Sequence, residues 1–195
     1  MAWEVRPDMA TDSEGFNKQR RMLLGAGVTG CVGAMFGARI EQVKAAATAS
    51  AGDVLVHFKG DNTGLPIDPA GLKFLEPVLA KPQSPDGQVR DARENIVTVV
   101  RVPREELEAE FESMAAGDIV AVSAICSHQG CLVSDVGTFG TAEGKLACTC
   151  HGSIFEPRAG GKRVAGPAER GLPMLPVTVD GAKLIATGGF AGKVG

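Results

Sequence analysis

The chain has 195 residues, enough for one compact domain with an N-terminal appendage and too few for two large domains. Hydrophobic residues at 44% and charged residues at 22% exclude a disordered or fibrous chain, while 5% aromatics against 26 Gly and 11 Pro favour short strands and many turns over long helices. A formal net charge of −3 provides no overall basic field for a polyanion, so nucleic acid is set aside as a partner.

Residues 1–21 are polar and mixed in charge and end in Lys18-Gln19-Arg20-Arg21. Met22 to Ala38 then runs without a charge, and Arg39 closes the run. As a helix this run would span about 26 Å, slightly less than the hydrocarbon core of about 30 Å, and Arg20, Arg21 and Arg39 could snorkel to cover the difference. Residues 22–40 therefore read as a transmembrane anchor or signal helix, and Gly33-Ala34-Met35-Phe36-Gly37 gives it a small-xxx-small packing face. Arg20-Arg21 before Met22-Leu23-Leu24 looks like a twin-arginine export signal, and the positive-inside bias puts the N-terminus in the cytoplasm. The expected location is a bacterial cytoplasmic membrane, with the remaining chain on the periplasmic side. Val28-Thr29-Gly30-Cys31 also resembles a lipobox, but the apolar run continues well past Cys31, which favours a small residue in an apolar helix.

Residues 41–52 are small and polar and read as a hinge linker, with a domain over 53–195. Asp53 to Lys59 predicts a first strand. Pro66, Pro69, Pro77, Pro82 and Pro85 then predict a loop-rich excursion through the next thirty or so residues instead of regular structure. Ile96 to Val102 reads as a strand, and Pro103 opens a predicted helix carrying Leu107, Phe111 and Met114 on one face. The five glutamates between 105 and 112 read as its solvated side. Further strands are predicted at Ile119 to Ile125 and Lys145 to Thr149, and a hairpin at Leu175 to Thr187 around Asp180-Gly181. His57, within the first strand, reads as an ordinary half-buried histidine.

Four of the five cysteines and two of the three histidines fall between 126 and 151. They form two boxes, Cys126-Ser127-His128-Gln129-Gly130-Cys131 and Cys148-Thr149-Cys150-His151-Gly152-Ser153, each following a predicted strand. Two thiolates and two imidazoles, one of each per box, are the ligand set of a 2Fe-2S centre with one iron on sulfur and one on nitrogen. A structural zinc also takes two Cys and two His, but finger spacings place the histidines together. A thiol switch at Cys131 and Cys150 would leave both histidines unexplained, and a hydrolase reading of Ser127 or Ser153 lacks an acidic partner and a nucleophile elbow.

The pattern C-x-H-x2-C with C-x-C-H-x-S resembles the Rieske family, over roughly residues 95–190. The resemblance implies an all-β Rieske fold of three stacked antiparallel sheets, with a 2Fe-2S cluster at the tip of two loops. It also implies that Cys126 and Cys148 ligate one iron and His128 and His151 the other, with Cys131 and Cys150 paired in a disulfide between the loops. Ser153 matches a serine whose hydroxyl donates to a bridging sulfide. Phe155 stands where high-potential quinol-oxidising members have Tyr, which implies a lower potential here within about −150 to +300 mV. Gly166-Pro167-Ala168 resembles the loop that covers the cluster, with Glu169 where a second proline is common.

Functionally, the resemblance implies an electron-transfer subunit without an active site of its own. The favoured setting is a quinol-oxidising cytochrome bc-type complex, with a cytochrome b-type membrane subunit, a c-type cytochrome and quinol as partners. There His151 would hydrogen-bond the quinol, with electron uptake coupled to protonation of a ligand histidine, because added negative charge favours the charged imidazole. The alternative is the small subunit of a periplasmic molybdenum oxidoreductase of the arsenite-oxidase type, partnered by a molybdenum catalytic subunit. A soluble ferredoxin feeding an oxygenase is disfavoured by Cys131 and Cys150.

Overall fold

The computed structural model describes residues 48–138 and 140–195. The predicted segments 1–21 and 22–40 and the linker up to residue 47 lie outside the described residues. No helix among the described residues is long and apolar enough to cross a membrane.

Among the described residues, ten strands form two antiparallel sheets. β1 (Val54–His57), β2 (Val78–Gln83), β3 (Val97–Arg101), β4 (Ile119–Ser123), β9 (Val177–Asp180) and β10 (Lys183–Ala186) make a six-stranded sheet in the order β4-β3-β2-β1-β10-β9. β5 (Asp135–Val136), β6 (Leu146–Cys148), β7 (Ser153–Glu156) and β8 (Lys162–Ala165) make a four-stranded sheet in chain order. The family resemblance implied three sheets, and the described strands form two.

The alternation within β3 and β4 joins the two sheets. Side chains on a strand point to opposite faces in turn. Val97, Val99, Ile119 and Ala121 enter one core with Leu55, Ala80, Leu175 and Leu184. Val100, Val120 and Val122 enter a second core with Leu146 and Phe155 of the small sheet, and with Cys126 and Cys148. Both strands are buried on both faces, which explains their near-continuous apolar sequence. Residues 173–175 cover the outer edge of β4, where Pro173 O accepts from Ser123 N at 2.8 Å and Leu175 N donates to Ala121 O at 2.9 Å. The same segment continues into β9, so one stretch of chain serves both edges of the large sheet.

Two local predictions differ from the structure. The proline-rich excursion contains β2, an interior strand with Pro82 opposite Leu55. Pro82 O accepts from Arg90 N at 2.8 Å, on the side away from β1, so the missing N–H falls outside the β1 ladder, and β3 pairs β2 only up to Ala80. The predicted helix after Pro103 is two 3-10 turns, Arg104–Glu106 and Ala109–Met114. Leu107 and Glu108 are extended between them, which buries Leu107 in the second core and lets Glu108 N donate to Arg158 O at 3.0 Å. Those tertiary contacts outweigh the local helical pattern.

Residues 49–53 are tied to the large sheet and to the β2–β3 connection at particular points. Ala49 is buried and its N–H donates to Asn95 Oδ1 at 3.0 Å, while Gly52 N donates to Ala186 O at 2.9 Å. Asp53, fully buried, takes two hydrogen bonds from Arg90, Nε at 2.5 Å and Nη2 at 2.8 Å, and a third from Ser50 N at 2.8 Å. Bonding to Asp53 raises the Arg90 guanidinium above its ordinary value, against the opposing effect of burial. Removing one partner of such a pair leaves the other charge without compensation. Asp53→Ala should destabilise the domain by about 3–5 kcal/mol in urea denaturation, whereas replacing both partners by apolar residues should recover most of that loss.

Candidate metal centre

Both boxes are tight turns at strand ends, built the same way. In the first, Ile125 bridges Leu132, Cys126 N donates to Cys131 O at 2.9 Å, and Gly130 N donates back to Cys126 O at 2.9 Å. The second caps the β6–β7 hairpin, where Cys148 pairs with Ser153 and Gly152 N donates to Cys148 O at 2.9 Å. In each turn a cysteine carbonyl thus accepts from a glycine four residues on. Those glycines have φ of +70° and +73°, a conformation that L side chains rarely adopt, and that is the reason for glycine at both positions.

The two turns converge. Cys126 and Cys148 are buried free thiols that face one another. Burial pushes the Cys148 thiol up and the neighbouring Cys126 adds to this, while the main-chain N–H groups of Cys150 and His151 pull the other way. His128 and His151 lie above, with Nδ1 atoms 3.2 Å apart, ring centroids 4.7 Å apart and rings nearly perpendicular. Two nitrogens sharing one tetrahedral metal ion, at bonds of about 2.0–2.1 Å, would sit about 3.3 Å apart, so the imidazole pair fits a common metal. His151 is exposed and His128 partly so. A disulfide joins Cys131 to Cys150, Cα atoms 6.6 Å apart, and packs beside Cys148, with all three sulfurs within 4.8 Å of one another. His57 ends β1 in the large sheet and is not part of this group.

A third loop, residues 166–170, packs against both turns. Gly166 has φ +86°, and a Cβ there would lie 2.4 Å from Ser153 Cα and 2.5 Å from Gly152 O. Ala168 N donates to the buried Ser153 Oγ at 3.0 Å, which leaves the serine O–H proton for another acceptor. Ser127 Oγ donates to Arg170 O at 2.9 Å and accepts from Arg170 N at 3.2 Å, fastening the first box to the same loop. Arg93, from the 3-10 turn Arg93–Asn95, donates through Nη2 to Gly130 O. Residue type and spacing identified the cysteines and histidines, and the family resemblance Ser153, but Ser127, Arg93 and Arg170 act through contacts 37 to 43 residues apart, which leave no local pattern. Phe155, opposite Leu146 in the register, is fully buried beneath the cysteines.

Residues 80–176 match the Rieske 2Fe-2S domain. The chain belongs to the Rieske family. The cofactor of a Rieske domain is a 2Fe-2S cluster, and the convergent thiol and imidazole pairs are chemically suited to it. The chain is 46% identical over 85 residues to a putative respiratory nitrate reductase Rieske subunit of Haloferax mediterranei, covering 43% of this chain and 36% of that one. It is 38% identical over 107 residues to the cytochrome bc1 complex Rieske iron-sulfur subunit of Corynebacterium glutamicum, covering 52% and 26%. The Streptomyces lividans subunit of the same name is 29% identical over 152 residues, covering 75% and 86%. Among solved structures, the plasma membrane Rieske protein of Synechocystis PCC 6803 matches at 31% identity and a TM-score of 0.35, over 55% of this chain and 84% of that chain. The first two curated relatives are matched over only 36% and 26% of their own length.

Gly166→Ala tests the packing of the three Rieske loops. Its Cβ has no room against Ser153 and Gly152, so the third loop must move away and admit water. The variant should lose cluster at least several-fold faster than the unaltered chain, measured as iron content and visible absorbance against time.

Proposed function

We infer that this Rieske protein takes electrons from quinol and passes them to a cytochrome within a bc-type complex, held at the outer face of a bacterial cytoplasmic membrane by residues 22–40. The observation that carries this reading is the asymmetry of the site. Two thiols are buried in the second core, while the His151 ring is exposed at the tip. An electron partner therefore meets an imidazole edge. The bc1 Rieske subunits among the relatives support the same reading.

Cys126 and Cys148 would hold one iron of the cluster and His128 and His151 the other. When bound, the cluster supplies a one-electron couple whose potential is raised by neutral imidazoles in place of two thiolates. With Nδ1 of His151 directed at Nδ1 of His128, its Nε2 is left to face solvent or a donor molecule. That nitrogen can accept a hydrogen bond from a quinol hydroxyl and hold its proton as the electron departs. Gly166 to Arg170 exclude water from the turns, and the Ser153 hydroxyl is free to donate into the site. Phe155 supplies no second hydroxyl.

A second reading has a specific observation behind it. Phe155, together with the likeness to a putative nitrate reductase Rieske subunit, favours the small subunit of a molybdenum oxidoreductase, relaying electrons from a catalytic partner. Potentiometric EPR at several pH values distinguishes the readings. A quinol-oxidising subunit should give a rhombic Rieske signal whose midpoint falls with rising pH, by up to about 59 mV per unit for one proton per electron. A midpoint independent of pH between 6 and 9 would remove the proton-coupled role of His151. In the same titration Ser153→Ala should lower the midpoint by about 60 mV or more, as expected for a lost hydrogen bond of about 1.5 kcal/mol to the reduced state, and Phe155→Tyr should raise it.

A further inference from the structure

We propose that Cys131, Cys148 and Cys150 make a second metal site, a three-thiolate seat for one zinc ion that becomes available when the disulfide is reduced. In that state the ion and the cluster compete for Cys148, and the disulfide decides between them. This rests on the proposed function only in taking Cys148 as a cluster ligand, and it holds whichever molecule gives or takes the electron. The sulfurs of the three residues all lie within 4.8 Å of one another, and among the described residues no other three cysteine, histidine or acidic ligands are drawn together in this way. Two thiolates on one tetrahedral zinc, at bonds of about 2.3 Å, stand about 3.8 Å apart. Reduction therefore asks only a small separation of two sulfurs, with the third already in reach. Three cysteines with one more ligand are a donor set of structural zinc, and thiolates favour that ion over magnesium, calcium or manganese, which prefer oxygen.

The backbone holds the three sulfurs near one another without the S–S bond. Cys131 O accepts from Cys126 N at 2.9 Å, and Cys148 O accepts from Gly152 N at 2.9 Å, so each turn keeps its shape. Both turns are also tied to the covering loop, the first through Ser127 and Arg170 and the second through Ser153 and Ala168. Cys150 is exposed, Cys131 partly so and Cys148 buried, which gives a reductant a sulfur to meet and an ion a way in. The site differs from a set of two cysteines and two histidines: it leaves Cys126 and His128 out and draws Cys148 away from iron. In the oxidised chain Cys131 and Cys150 have no thiolate to offer, and the cluster meets no rival there. Disulfides persist in oxidising compartments and are rare in the cytosol, so the choice follows the compartment in which the chain meets its metal.

Zinc together with a phosphine tests this on the full chain in a neutral detergent, under argon. Tris(carboxyethyl)phosphine gives two electrons to the S–S bond and leaves as its oxide with the oxygen of a water molecule, whose two protons complete the two thiols. Zinc binding then displaces the protons of the three thiols to solvent. The cluster-loaded chain is followed by visible absorbance, and its zinc and iron are measured after desalting. Zinc without phosphine should leave the absorbance as it was, whereas zinc with phosphine should bleach the cluster at least about fivefold faster than phosphine alone and leave one zinc per chain. In the reduced chain freed of its cluster, Cys131→Ser should weaken zinc binding about tenfold or more, measured by competition with a chromogenic chelator, while Cys126→Ser should change it less than about threefold. Bleaching that zinc does not hasten overturns the proposal, as does zinc retained beside an intact cluster. Equal losses from the two substitutions would assign the ion to the cluster's own ligands and overturn it too. Should a variant fail to fold, the zinc dependence of bleaching in the unaltered chain decides. A pH-independent midpoint would remove the quinol reading without touching any of these results.

Discussion

Two thiols facing one another out of water are the constraint on which the rest of this structure depends. Burial pushes the Cys148 thiol up, and with Cys126 opposite it holds its proton more firmly still. Only a cation makes the pair of thiolates stable, so loading the centre expels protons and its binding energy becomes folding energy for the loops around it. The imidazoles carry no such penalty, which allows them to stand at the exposed end. Buried sulfur and exposed nitrogen together give the centre a closed side and an open side.

Holding that arrangement takes more than the two boxes. Each turn is short and begins at a strand end, but neither turn positions the other. The disulfide, the Ser153–Ala168 hydrogen bond, the paired bonds between Ser127 and Arg170, and the absence of a side chain at Gly166 fix three loops as one unit. Beneath them, Phe155, Leu146, Val120 and Val122 form an apolar floor to which both sheets contribute. A centre resting on two sheets cannot shift with one of them alone, which preserves the preorganisation an electron-transfer site needs.

Much of this was legible in the sequence, for reasons that differ by element. β3 and β4 are apolar on both faces and read as strands without their partners, and Asp180-Gly181 marks the β9–β10 hairpin directly. β8 has little apolar pattern, with three of its four residues exposed, and β7 begins at Ser153 inside a ligand box, so neither was predicted. β2 was hidden by Pro82, whose missing donor lies on the side away from β1, beyond the last residue that pairs with β3. The helical spacing of Leu107, Phe111 and Met114 was real, but these residues answer to the second core and to Gly160, not to one another. At the centre, residue type and spacing brought out the cysteines and the histidines, and the family resemblance added Ser153. The arginines and Ser127 could not be found that way, because their roles come from pairings that only the folded chain creates.

The attachment of residues 49–53 has a mechanical consequence. Ala49 is held by Asn95, and Asp53 by Arg90, both on the connection that leads from β2 into β3. Two residues before Asn95, Arg93 grips the first box. The point where the chain enters the domain and the first ligand turn are thus fastened to one short connection, residues 90–95, so tension on Ala49 is borne by the same segment that steadies Gly130.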